Sequence, residues 1–105
     1  MAVKVLITRE FKADKLDDAY KLLMELRSMA TLRNGYLSGQ TIISAENPNK
    51  LVVISTWTSL NRWERWHQDP RRKDFAKKLE PFLTAPESVE AFLVGEKIPE
   101  WVDMA

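Results

Sequence analysis

The residues best suited to chemistry gather in one run, Trp57 to His67, which holds three of the four tryptophans (Trp57, Trp63 and Trp66) and the only histidine. Indoles offer wide apolar faces and one N–H donor, and an imidazole changes charge near neutral pH. The run therefore reads as the wall of a small-molecule pocket with His67 as its candidate base. Arg9 and Arg71 are the candidate holders of a carboxylate or an oxyanion, because a guanidinium is a forked donor that stays charged. Thr8 and Tyr36 are candidates for polar contacts, and Phe75 adds aromatic surface.

Each assignment competes with a plainer one. A large aromatic at a sheet end or on an inward helix face is commonly packing, and the run Arg71-Arg72-Lys73 is most simply a solvated helix turn. Adjacent helical residues project about 100° apart, so Trp66 and His67 cannot both point straight into one pocket.

Composition narrows the rest. The 105 residues make one domain, and 16 Lys plus Arg against 15 Asp plus Glu leave a net charge of +1 with both signs interleaved. No electrostatic footprint for nucleic acid or an anionic membrane results. The absence of cysteine excludes disulfides, thiolate nucleophiles and sulfur-ligated metals, and suits a reducing cytoplasm. The N-terminal apolar run is broken by charge too early for a signal peptide or a membrane span. No glycine-rich phosphate loop, dinucleotide fingerprint or paired-histidine spacing is present, so flavin, nicotinamide and zinc have no support and no cofactor is expected.

Four strands and three helices must position these residues. Alternating β-branched residues predict a strand over 2–11. With Asp14 as N-cap and Asp17 at the third helical position, Leu16, Ala19, Tyr20, Leu23, Leu26 and Ala30 form the inward stripe of a helix that Asn34-Gly35 stops. Residues 36–44 and 50–57 read as a hairpin around Glu46-Asn47-Pro48-Asn49. Ser59 caps a short helix carrying Trp63, Trp66 and His67, and Asp69-Pro70 starts another with Phe75, Ala76, Leu79 and Phe82 inward. A last strand over 88–94 precedes a polar tail containing Trp101.

The order β-α-β-β-α-β predicts an α+β, ferredoxin-like domain over 1–95 with a four-stranded antiparallel sheet, followed by a tail over 96–105. Helices cover one face only. Leu51-Val52-Val53-Ile54 is apolar on both parities, as are Val3, Val5, Leu6 and Ile7, so the second face is expected to pack on a partner's sheet in a twofold dimer, with Trp101 reaching across.

With that order in hand, Asn34-Gly35-Tyr36, Asn47-Pro48-Asn49, Trp57 and the stretch Trp66 to Phe75 together resemble the antibiotic biosynthesis monooxygenase (ABM) family of dimeric α+β barrels, over roughly residues 2 to 94. The resemblance implies a cofactor-independent monooxygenase acting on a small phenolic or quinol molecule, or a non-enzymatic binding or stress-related module that keeps the pocket. Family members that oxidise aromatic polyketides without a cofactor carry a tryptophan matched by Trp57 and a tyrosine where Trp63 stands; the change keeps an N–H donor and loses acid–base capacity. Many other members carry a histidine where Trp66 sits and a second near Arg71. Haem-degrading members carry an asparagine, a tryptophan and an iron-binding histidine at positions matched by Thr8, Trp66 and Ala76. Alanine cannot ligate iron, which places haem degradation third.

Overall fold

The computed structural model describes residues 1–95. Side-chain alternation organises the sheet. Strand β1 (Val3–Glu10) buries Val3, Val5, Ile7 and Arg9 on one face. Antiparallel partners share a face, and β1 pairs with β3 (Lys50–Trp57) from Val3↔Trp57 to Glu10↔Lys50 and with β4 (Ser88–Leu93) from Val3↔Leu93 to Thr8↔Ser88. Strand β2 (Tyr36–Ile43) completes the order β2-β3-β1-β4, with a register shift between Tyr36 and Ser38. This is the expected antiparallel ferredoxin-like sheet.

Helix α1 (Leu16–Thr31) lays Ala19 and Leu26 onto the sheet, and α2 (Leu60–His67) and α3 (Pro70–Leu79) follow β3, before a 3₁₀ turn at Glu80–Phe82. Both later helices start where side-chain caps put them. Ser59 Oγ accepts from the Arg62 N–H at 3.2 Å, and Asp69 Oδ1 accepts from the Arg71 N–H at 2.8 Å with Pro70 opening the helix. Val3, Val5, Phe11, Trp57 and Leu79 are the largest fully buried side chains. Among the described residues no helix is long and apolar enough to cross a membrane.

Three expectations need correction. Asp14 does not cap α1: it adopts a left-handed conformation (φ 65°) and Lys15 stands at the N-cap without a side-chain bond, which moves Asp17 to the second helical position. Helix α1 ends at Thr31, and Gly35 (φ 92°) instead shapes the turn into β2. Tyr20 is 58% exposed, at the open edge of the inward stripe rather than buried in it. The proposed packing of the tail and of Trp101 lies outside the described residues.

The second face of the sheet carries Leu6 opposite Ile54 and Val52 opposite both Thr8 and Ile42. Ile42 and Phe92 are 44% and 45% exposed there. Among the described residues no helix covers that face.

Candidate functional site

Between the helix-bearing face of the sheet and α1 lies a cavity of about 390 Å³. Its position follows from strand parity: Ile7 and Arg9 of β1, Leu51, Val53, Ser55 and Trp57 of β3, and Gly39 and Thr41 of β2 all face α1, which contributes Leu23, Leu26 and Ala30. Trp63 and Trp66, one helical turn apart on α2, close one end. Arg27 at the rim ties α1 to β2 by donating to the Gly39 carbonyl at 3.3 Å.

Aromatic rings form a chain along this wall. Trp57 meets Tyr36 edge-on (5.4 Å between centroids, 88°) and Trp63 at 5.8 Å and 61°. The Trp57 N–H donates to Ser55 Oγ, two residues back on the same face, at 3.1 Å. Trp57 therefore supplies shape, with its donor already engaged. Gly39 stands opposite Ser55, and a Cβ there would collide with the Tyr36 hydroxyl, so the missing side chain is what admits Tyr36 to the cavity wall.

Charge enters through a buried triad. Glu87 receives Arg9 Nε at 3.0 Å and Arg9 Nη2 at 2.9 Å on one oxygen, and Arg72 Nη1 at 3.1 Å on the other. The Arg9 and Arg72 side chains are 5% and 4% exposed, and both residues line the cavity. Burial raises the Glu87 carboxyl, but Arg9 and Arg72 together outweigh it and hold the group below the usual carboxylate range. Burial pulls Arg9 below its ordinary value while Glu87 opposes the shift, and it stays a cation at neutral pH. Two guanidiniums against one carboxylate leave one positive charge uncompensated within the triad, beside a largely apolar cavity whose other charged lining residues, Arg27 and Asp17, are of opposite sign. The Arg72 guanidinium lies 5.3 Å over the Trp63 ring, and its Nη2 is buried with no hydrogen-bond partner among the described residues.

The structure thus brings together five residues singled out by sequence: Arg9, Tyr36, Trp57, Trp63 and Trp66 all line the cavity. Four others stand elsewhere. His67 stacks on Trp63 (5.1 Å, 27°) without lining the cavity, and its buried Nδ1 has no partner among the described residues. Burial first and then the Arg72 charge lower its pKa, which keeps it neutral at pH 7. Arg71 is half-exposed and binds Asp69 through Nε at 3.0 Å and Nη2 at 2.8 Å. Phe75 packs against the core beneath the Lys78 ammonium at 5.2 Å. Thr8 belongs to the opposite face of the sheet.

Sequence reasoning missed Arg72, Glu87, Ser55 and Gly39. A signal existed for Arg72: it lies three, four and seven residues before Phe75, Ala76 and Leu79, on the inward stripe of α3, so it is not the solvated turn residue expected. Glu87, 78 positions from Arg9, offered none.

Chemically, the arrangement suits a flat aromatic molecule bearing an oxyanion, stacked among indoles with its charge toward the guanidiniums. Among the described residues no three His, Cys, Asp or Glu side chains gather as a metal site.

Comparison with known proteins places this geometry. The antibiotic biosynthesis monooxygenase family model matches residues 2–78. No curated protein sequence shows significant similarity to the chain. Among solved structures, Rv0793 from Mycobacterium tuberculosis is similar with a TM-score of 0.80 at 18% identity, over 92% of this chain and 98% of that one. A conserved protein from Methanosarcina mazei Go1 gives 0.81 at 16%, over 88% and 91%. SnoaB, a cofactor-independent oxygenase from Streptomyces nogalater, gives 0.78 at 15%, over 94% and 98%. At these identities the structures speak for the fold, and the family model, matching most of the chain, settles membership: this chain belongs to the antibiotic biosynthesis monooxygenase family.

Proposed function

We propose that the protein is a cofactor-independent monooxygenase that binds a small phenolic or quinol molecule as its anion and lets it react with O₂. The observation that carries this reading is the Arg9–Glu87–Arg72 triad at a tryptophan-walled cavity: a net cation, and a guanidinium N–H with no partner among the described residues, beside largely apolar surface. At about 390 Å³ the cavity sits near the lower end of the range of roughly 300–1,000 Å³ common for ligand pockets, which fits one or two fused rings.

In this reaction a phenol and O₂ give a quinone and water, so every electron comes from the substrate. The protein's task is to make the substrate a good donor. A phenol ionises near pH 10, and a cation within about 4–6 Å lowers such a pKa by roughly 1–3 units. A shift of about two units raises the anionic fraction at pH 7 from about 0.1% to about 10%. Arg72, supported by Arg9, is the group for that role, and the surrounding indoles exclude water and stack the ring. On this reading His67 sets the position of Trp63 rather than acting as the base in contact with substrate. SnoaB, a cofactor-independent oxygenase of the same fold, adds support by analogy.

One observation favours a second reading, a binding module without turnover: among the described residues no histidine lines the cavity, and Asp17 is the only carboxylate that does. Either way the apolar patch on the second face of the sheet supports a homodimer, in which Leu6, Val52 and Ile54 pack on the same residues of another copy.

The test is titration of tryptophan fluorescence with hydroquinones and naphthols, followed by oxygen-electrode assays on each molecule that binds. The enzyme reading expects saturable quenching with O₂ uptake, both lost in Trp57→Ala and the uptake lost in Arg72→Met. Saturable binding with no uptake by the wild-type protein supports the binding module instead.

A further inference from the structure

We propose that the cleft between Arg33, Arg62 and Arg65, on the far side of Trp66, is a second binding site that takes a small phosphate-bearing anion. The cleft holds about 280 Å³ and is separate from the tryptophan cavity, sharing only Trp66 with it. The inference does not depend on the monooxygenase reading.

Three guanidiniums line one small depression in a chain whose net charge is only +1. None of the three has a carboxylate within ion-pair distance among the described residues. The one acid in the lining, Asp69, is engaged at both oxygens by Arg71, whose hydrogen bonds hold its carboxyl at about 2, and its remaining attraction for Arg33 is the smallest of its interactions, so three arginines face less than one free negative charge. Like charges around one depression repel, and an anion between them relieves the cost.

The site is also built. Arg62 packs its stem against Gly35, where a Cβ would come within 2.6 Å of Arg62 Cβ and Cγ. Arg33 lies over the Trp66 ring at 5.6 Å, and its Nε is buried with no partner among the described residues. Arg33 and the stem of Arg62, so restrained, lose little freedom on binding.

Charge and volume indicate the ligand class. A carboxylate carries a single charge, which one guanidinium satisfies in a bidentate pair, whereas a phosphate monoester brings nearly two charges and three acceptor oxygens, enough for several. At about 30 Å³ per water, the cleft equals roughly nine waters, more than a bare phosphate fills. A phosphate carried on a small polar organic group fits better.

Isothermal titration calorimetry with inorganic phosphate, glycerol phosphate and uncharged glycerol tests this on the full chain. Both phosphates are expected to bind below about 1 mM, glycerol phosphate more tightly, and glycerol not at all. Arg33→Gln and Arg65→Gln should each weaken binding by about tenfold or more, with unchanged melting curves. Lys21→Gln, which removes the same charge from the exposed face of α1, and Arg72→Met, which alters the other cavity, should leave binding intact. Affinity for glycerol phosphate should rise from pH 5 to pH 7 as the monoester loses its second proton near about pH 6. Absence of binding by either phosphate overturns the proposal. So does equal weakening by Lys21→Gln, which would mean unspecific surface charge, or loss in Arg72→Met alone, which would move the anion to the tryptophan cavity.

Discussion

Replacing Glu87 by glutamine keeps the shape of the side chain and removes the only negative charge between two buried guanidiniums. The pair distances are 2.9 and 3.1 Å, and Arg9 and Arg72 are 4% and 3% exposed, so neither cation can regain water without moving its neighbours. The cost of the substitution is therefore set by stranded charge rather than by the net worth of the ion pairs. Breaking a buried pair from one side costs roughly 3–5 kcal/mol. The Glu87 side chain is 17% exposed, which admits some screening and puts the expected loss near the lower end, about 3 kcal/mol. For a domain of this size that corresponds to a fall in melting temperature of roughly 12–24 °C. Urea denaturation followed by circular dichroism at pH 7 and fixed protein concentration measures it, with an unchanged m-value showing that the unfolded state is the same.

The pH dependence adds a second check on this substitution. Folding lowers the Glu87 pKa, so the triad's stabilisation is complete above the unfolded carboxyl's value of about 4.3 and disappears as pH falls through the lower folded value. Wild type and Glu87→Gln should converge in acid. The triple change Arg9→Met, Arg72→Met and Glu87→Leu should be close to neutral for stability, because no charge is left stranded. A loss below about 1 kcal/mol in Glu87→Gln would refute the reasoning and reduce the triad to a surface ion pair.

Three further outcomes follow from the same geometry. Ser55→Ala leaves the buried Trp57 N–H without its acceptor and should cost about 1–3 kcal/mol in urea denaturation, more than Ser38→Ala on the opposite face of the sheet. His67 is held neutral by burial and by Arg72, so the folded protein loses stability as pH falls from about 6.5 toward the lower folded pKa, and His67→Gln should abolish that slope in melts across pH 5 to 7. Ile54→Lys places a charge opposite Leu6 on the uncovered face and should convert a dimer to monomer in sedimentation without unfolding the chain.

The strands and both later helices were legible because their signals are local. Parity assigns Val3, Val5 and Ile7 to one face, Pro48 and its asparagines place the hairpin, and Ser59 and Asp69 mark helix starts through the hydrogen bonds they accept. Asp14 misled because a left-handed residue and an N-cap draw on the same residue type, and only the backbone angle separates them. The tryptophan wall was visible as composition. The angular argument against Trp66 and His67 sharing a pocket matches the geometry, since only Trp66 lines the cavity. The charge beside that wall was not visible. Arg72 hides in a basic run whose neighbours face solvent, although the spacing to Leu79 marked its side of the helix. Glu87 becomes meaningful only when the fold brings it against Arg9, 78 residues away. Long-range ion pairs leave no periodicity in a sequence, and the charge beside this cavity rests on one.

The most direct test is the ionisation of a bound phenol. A naphthol whose absorption separates the neutral and anionic forms should titrate in the wild-type protein roughly 1–3 pH units below its value in water, and close to that value when bound to Arg72→Met. That shift is what the triad must provide for a bound aromatic to give electrons to O₂ without a cofactor. A bound naphthol that titrates at or above its aqueous value would contradict the account, because the cavity would then be acting as apolar surface alone.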